Sequence, residues 1–146
     1  MAASNIERFD ELTGKIFGAL YASFPIRIHL QSRHFIAEHI FDNPHAQDPV
    51  RRQEINMFYA TVRWLSDAGY LTYRESSGAI EDAVLTAKGL EVLKATPSSL
   101  DAGPSIGERL STAGKEEGKE LFRGLVTEAL GLGARLISPL VGLPST

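Results

Sequence analysis

The chain has 146 residues, 43% of them hydrophobic, with 15 basic against 18 acidic side chains and a formal net charge of −3. That length buries one compact core with residues to spare, and the mild acidity sets the chain apart from dedicated nucleic-acid-binding domains, whose non-specific affinity rests on neutralising phosphate. The lack of cysteine excludes disulfides, thiolate nucleophiles and Cys-ligated zinc.

Ser4 followed by Glu7 has capping-box spacing, and Ile6, Phe9, Leu12, Ile16, Phe17 and Leu20 then recur every three or four residues. This predicts an amphipathic helix of roughly five turns that ends at Pro25. The alternation in Ile26-Arg27-Ile28-His29-Leu30 predicts a short strand. Ser32 is placed to cap a helix over Arg33–Phe41, with Phe35, Ile36 and Ile40 inward. Residues 42–49 read as a loop whose final Asp48-Pro49 opens the next helix.

That helix is expected over Pro49–Ala68, with Ile55, Phe58, Val62 and Leu65 as its buried stripe and Gly69 as its stop. Tyr70 to Arg74, the turn Ser76-Ser77-Gly78 and Ile80 to Leu85 read as a hairpin. Thr86 then caps a helix that carries Leu90 and Leu93 and stops before Pro97. Residues 97–104, PSSLDAGP, have the composition of a linker. Beyond it, eight of the thirteen glycines lie between Gly103 and Gly142. Leu121, Phe122, Leu125, Val126, Ala129, Leu132 and Leu136 keep helical spacing, so residues 105–138 are expected to form one or two helices outside the main core.

The order helix, strand, helix, helix, hairpin, helix carries two phrases, Trp64-Leu65-Ser66-Asp67-Ala68-Gly69-Tyr70-Leu71-Thr72 and Leu85-Thr86-Ala87-Lys88-Gly89-Leu90. In this order they resemble the winged helix-turn-helix superfamily, in the manner of bacterial regulators of the MarR and PadR kind, over residues 5–96. The resemblance implies a mainly α fold with a small β-hairpin wing and no catalytic chemistry; the C-terminal helical extension lies beyond it and is expected from spacing alone. The resemblance also implies a homodimeric DNA-binding transcription regulator whose recognition helix is Pro49–Ala68. The DNA-facing residues would then be Arg51, Arg52, Gln53, Asn56, Ala60 and Arg63, with Arg74 on the wing. Asn and Gln suit adenine edges, and Arg suits guanine or phosphate.

The charges pull the other way. Between Phe24 and Ser77 six arginines face six carboxylates, and Glu75, Glu81 and Asp82 surround the wing's Arg74. A carboxylate held against phosphate costs on the order of a kcal/mol when weakly screened. The competing expectation is therefore a winged-helix protein-interaction module without DNA contact. In that reading Leu121, Phe122, Leu125, Val126, Ala129, Leu132 and Leu136 dock a partner, whereas a regulator would use the same stripe for dimerisation. Trp64, Tyr59, Tyr70 and Tyr73 are read as packing residues or as a protein-facing aromatic patch.

Metal and catalytic motifs are lacking. His34 and His39 are five apart rather than the four of a helical zinc pair, and no nucleophile elbow, phosphate loop or dinucleotide fingerprint occurs. No cofactor is expected. The N-terminal stretch has no basic segment followed by an apolar run, and no window of about 18 residues is free of charge. A cytoplasmic protein without a membrane span is the expectation.

Overall fold

The computed structural model describes residues 4–36, 49–97, 103–112 and 118–142, with side chains as far as residue 136. The chain is mainly helical with one small antiparallel sheet. Its elements are α1 (Asn5–Ser23), β1 (Ile28–Leu30), a 3-10 turn (Ser32–His34), α2 (Pro49–Asp67), β2 (Leu71–Ser76), β3 (Ala79–Leu85), α3 (Ala87–Lys94), α4 (Ile106–Thr112) and α5 (Lys119–Gly142). The three strands lie in the order β1-β3-β2.

α1 starts as its sequence predicts. The Glu7 amide donates to Ser4 Oγ at 3.1 Å, and the Ser4 amide donates to Glu7 Oε1 at 2.9 Å. Leu12, Ile16, Phe17 and Leu20 are buried. Ile6 is not: it sits in the first turn, beyond the reach of the core, and is 60% exposed. The strand also starts later than its alternation suggests, at Ile28, with Ile26 left in solvent.

Ser32 opens a 3-10 turn rather than capping a helix, and its carbonyl accepts from the Phe35 and Ile36 amides. Phe35 and Ile36 are buried as expected. The rest of the helix expected over Arg33–Phe41, with Ile40, and the loop through Asp48 lie outside the described residues.

Phe58, Thr61, Val62 and Leu65 form the buried face of α2, whereas Ile55, expected in the same stripe, is only half-buried against it. Its C-terminus is closed by two bonds, Gly69 N–H to the Ser66 carbonyl at 3.0 Å and Tyr70 N–H to the Leu65 carbonyl at 2.9 Å, around a Gly69 with φ +92°. This paired closure needs a left-handed residue, which only glycine adopts without steric cost. Thr86 joins that turn to the next helix. Its hydroxyl accepts from the Gly89 amide at 3.0 Å and donates to the Gly69 carbonyl. A side chain at Gly89 would collide with the Tyr70 carbonyl, so the glycine in Leu-Thr-x-x-Gly permits α3 to lie on the α2–β2 turn.

The hairpin contains a bulge. β2 and β3 pair as Thr72 with Val84 and then as Arg74 with Glu81, so Asp82 and Ala83 stand against the single residue Tyr73. Asp82 has φ +56°, a left-handed conformation that Asp tolerates better than most side chains. Strict alternation from Ile80 would turn Asp82 toward the core. The bulge instead buries Ile80, Ala83 and Leu85 and leaves Glu81 and Asp82 side by side on the outside.

The helices after residue 104 belong to the same core, contrary to the expectation that they lie outside it. Ile106, Leu110, Leu125, Val126 and Ala129 are buried in one cluster with Phe17, Leu65, Tyr70 and Leu93. α4 and α5 pack on α1, and α5 also meets α3. The crossing with α4 is close because Gly18 has no side chain: a Cβ there would stand 2.7 Å from the Leu110 carbonyl oxygen. Arg123 pairs with Glu7 at 3.1 Å and Asp10 at 3.5 Å, and Lys119 pairs with Glu11 at 3.6 Å, which sets the register of α5 on α1. Among the described residues no helix is long and apolar enough to cross a membrane.

Candidate functional site

α2 is the element on which most of the candidate residues converge. Burying Phe58, Val62 and Leu65 fixes its rotation, and a period of 3.6 residues then turns Arg52, Gln53, Asn56, Ala60 and Arg63 to the opposite side. All five are exposed there. Arg51, near the helix start, is half-buried and turns toward the sheet.

Arg51 meets a residue that the sequence does not place beside it. A groove of about 410 Å³ runs between the N-terminal half of α2, the 3-10 turn and the hairpin turn, and Arg33, Arg51, Gln31, Ser32 and Tyr59 line it together with residues 77–79. Two guanidinium groups therefore share one groove with the tip of the hairpin. The sequence offers no direct sign of this, because residues 33 and 51 come together only where the 3-10 turn packs against α2.

Arg63 and Arg74 are held by carboxylates. Arg63 Nη2 lies 3.1 Å from Glu75 Oε2, and Tyr73 Oη donates to the second oxygen of Glu75 at 3.3 Å. The Arg63 guanidinium also stands over the Tyr59 ring at 5.8 Å, and Tyr59 Oη donates to the Gly78 carbonyl at 2.6 Å. This chain of contacts ties the hairpin to α2. The hydrogen bond from Arg63 holds the Glu75 carboxyl below its usual 4.5, and Arg63 is raised in return. Burial, and then the Glu75 charge, raise the Tyr73 phenol above 10.0. Arg74 is engaged twice, by Glu81 at 2.9 Å and by Asp82 at 3.2 Å.

A second surface feature lies on the flank of α2. Ile6, Phe9, Met57, Ala60 and Trp64 line an uncharged groove of about 360 Å³ between α1 and α2. Trp64 is 50% exposed and packs edge-on against Phe9, with ring centroids 5.3 Å apart. The four aromatic residues grouped in the sequence thus divide. Tyr70 is core, Tyr59 and Tyr73 brace the hairpin, and Trp64 faces outward.

The candidate contacts on the last helix divide as well. Leu125, Val126 and Ala129 are buried within the chain, Phe122 and Leu132 pack half-buried against the same core, and Leu121 and Leu136 are exposed. No group of three or more His, Asp or Glu side chains placed to hold a metal occurs among the described residues. His29 and His34 are exposed, and His39 and His45 lie outside the described residues. Compared with protein-family models, with curated proteins and with solved structures, the chain gives no match.

Proposed function

We propose that the chain is a winged helix-turn-helix DNA-binding regulator, homodimeric and without a catalytic step, that reads a duplex with the N-terminal half of α2. The sheet order β1-β3-β2 and the hairpin that follows α2 support the winged-helix assignment. The observation that carries the reading is the groove shared by Arg33, Arg51 and the hairpin turn, with the exposed row Arg52, Gln53 and Asn56 on the outer side of the same helix. In this pose the arginines hold phosphate and set the register of the helix, while Gln53 and Asn56 are the groups able to distinguish bases. The test is duplex DNA binding as a function of salt. Wild-type protein should bind at low salt with a log–log slope of about −0.9 per phosphate contact, and joint replacement of Arg33, Arg51 and Arg52 by Ala should remove the binding from a folded protein. A folded wild-type protein with no low-salt affinity would sink the reading.

A second reading, of a protein-interaction module without DNA contact, is supported by the uncharged groove flanked by Ile6 and Trp64. An exposed tryptophan beside a cleft is the kind of anchor on which binding energy concentrates. Trp64→Ala separates the two readings, because it should leave the salt slope for DNA unchanged and abolish association with a protein partner.

A further inference from the structure

Two of the candidate arginines, Arg63 at the far end of α2 and Arg74 on the hairpin, have side chains 54% and 62% exposed, so phosphate could reach both. Each is nonetheless held in a built arrangement rather than in a loose surface pair. Glu75 is fixed by two donors, Arg63 and the Tyr73 hydroxyl. Arg74 presents Nε to Asp82 and Nη2 to Glu81, so the side edge of its guanidinium is shared between two carboxylates. Asp82 reaches it because the strand bulges there in a left-handed conformation at φ +56°. A regular strand would have placed only one of two neighbouring carboxylates on that side.

We propose that Glu75 and the Glu81–Asp82 pair are internal counter-ions that keep Arg63 and Arg74 from nucleic-acid phosphate, and so limit sequence-independent binding. The inference rests on the DNA-binding reading above. Phosphate contacts add affinity that is the same for every sequence, whereas base contacts distinguish sequences. A chain that withholds two of its arginines relies proportionately more on Gln53 and Asn56. The carboxylates act twice, since they engage donors of both guanidinium groups and repel the phosphate that would replace them. Their role is to set specificity.

The test uses the full chain and a duplex of arbitrary sequence, with binding measured from about 50 to 200 mM salt. Glu75→Gln releases Arg63. Glu81→Gln combined with Asp82→Gly releases Arg74, and glycine retains the positive φ of the bulge. Asp82→Asn, with a side chain that also tolerates this conformation, takes its place if the glycine variant unfolds. Each release should steepen the salt slope by about 0.9 and tighten binding at 0.1 M salt by roughly eightfold. The gain must vanish when Glu75→Gln is combined with Arg63→Ala, or the second set with Arg74→Ala. A gain that survives removal of the arginine reflects bulk charge and overturns the inference. So does a wild-type protein that binds DNA with the same slope as the variants, an outcome that leaves the DNA-binding reading standing. Variants that bind where the wild type does not support the counter-ion role and overturn the wild-type reading. Binding by none of them overturns both.

Discussion

Tyr70 and Leu130 stand 60 residues apart, and the Tyr70 hydroxyl donates to the Leu130 carbonyl at 3.2 Å. The bond joins the start of the hairpin to the last helix, and it is backed by a close approach. A Cβ on Gly133 would collide with the Tyr70 ring and hydroxyl. The ring also lies beneath Lys88 Nζ at 4.5 Å, and Lys88 donates to the Ala68 carbonyl at 2.7 Å, at the end of α2. One phenol thus connects α2, α3 and α5. Tyr70→Phe should cost about 1 kcal/mol, the net value of such a bond, and Gly133→Ala about 1–3 kcal/mol through overpacking. Denaturant unfolding measures both, and a neutral Gly133→Ala would contradict the packing described.

Two further glycines should respond in opposite directions to the same change. Gly18→Ala drives a methyl group into α4 backbone at Leu110 and should destabilise by about 1–3 kcal/mol. Gly124 is exposed on α5, and nothing lies within 4 Å of an added Cβ. Gly124→Ala should therefore stabilise by about 0.5–1 kcal/mol through helix propensity and a less flexible unfolded chain. Thermal melts of the two variants, side by side, would show the sign of each.

A chain cut at Pro97 should not keep its native fold. It would lose Ile106, Leu110, Leu125, Val126 and Ala129 from the core and expose the α1 surface that they cover. Full burial of a Val or Leu side chain contributes about 1.5–3 kcal/mol, so this loss is comparable with the whole stability of most domains. Loss of near-UV circular dichroism is the expected result, whereas a cooperative melt in the shortened chain would contradict it.

Dimerisation must accordingly be probed without removing the tail. Leu121 and Leu136 are the apolar side chains of α5 left in solvent among its seven candidate contacts. If α5 forms the homodimer contact, Leu121→Glu with Leu136→Glu should give a folded monomer by sedimentation while the wild type sediments as a dimer. Two monomers would remove the homodimer from the proposal.

Stability should fall in acid through Glu7. The Ser4 amide, and after it Arg123, hold the Glu7 carboxyl below its usual 4.5. A carboxyl lowered in the folded state contributes stability that is present above the unfolded value and is lost as pH falls through the folded one. Melting temperatures should therefore drop below pH 4.5. Glu7→Gln, which keeps the capping geometry, should melt lower at neutral pH and flatten that part of the acid limb. Parallel curves for the two proteins would contradict the assignment.

Much of the fold was legible because its signals are local. The Ser4–Glu7 box, the Gly69 stop and the Thr86 cap depend on residues a few positions apart and form as written, and the α2 stripe forms at Phe58, Val62 and Leu65 with Ile55 only half-buried. Local signals misled where a contact comes from far along the chain. Ile6 keeps the period of the core face yet lies beside Trp64 in an open groove, and Ser32 has cap chemistry but opens a 3-10 turn. The candidate site was legible as a helix face. Its partners were not, since the pairing of Arg63 with Glu75 depends on how the hairpin folds against α2.

By itself, the sequence determined the helices and the hairpin, because capping, periodicity and glycine conformation act within a few residues. It also determined that basic and acidic side chains would be balanced around the candidate recognition helix. Only the tertiary structure decided how that balance is arranged. It brings Arg33 and Arg51 to one groove, closes Arg63 and Arg74 onto carboxylates, and turns the apolar stripe of the last helix onto α1. The physical reason is range: periodicity shows which side chains share a face, whereas the surface a face meets is set by the packing of the whole chain.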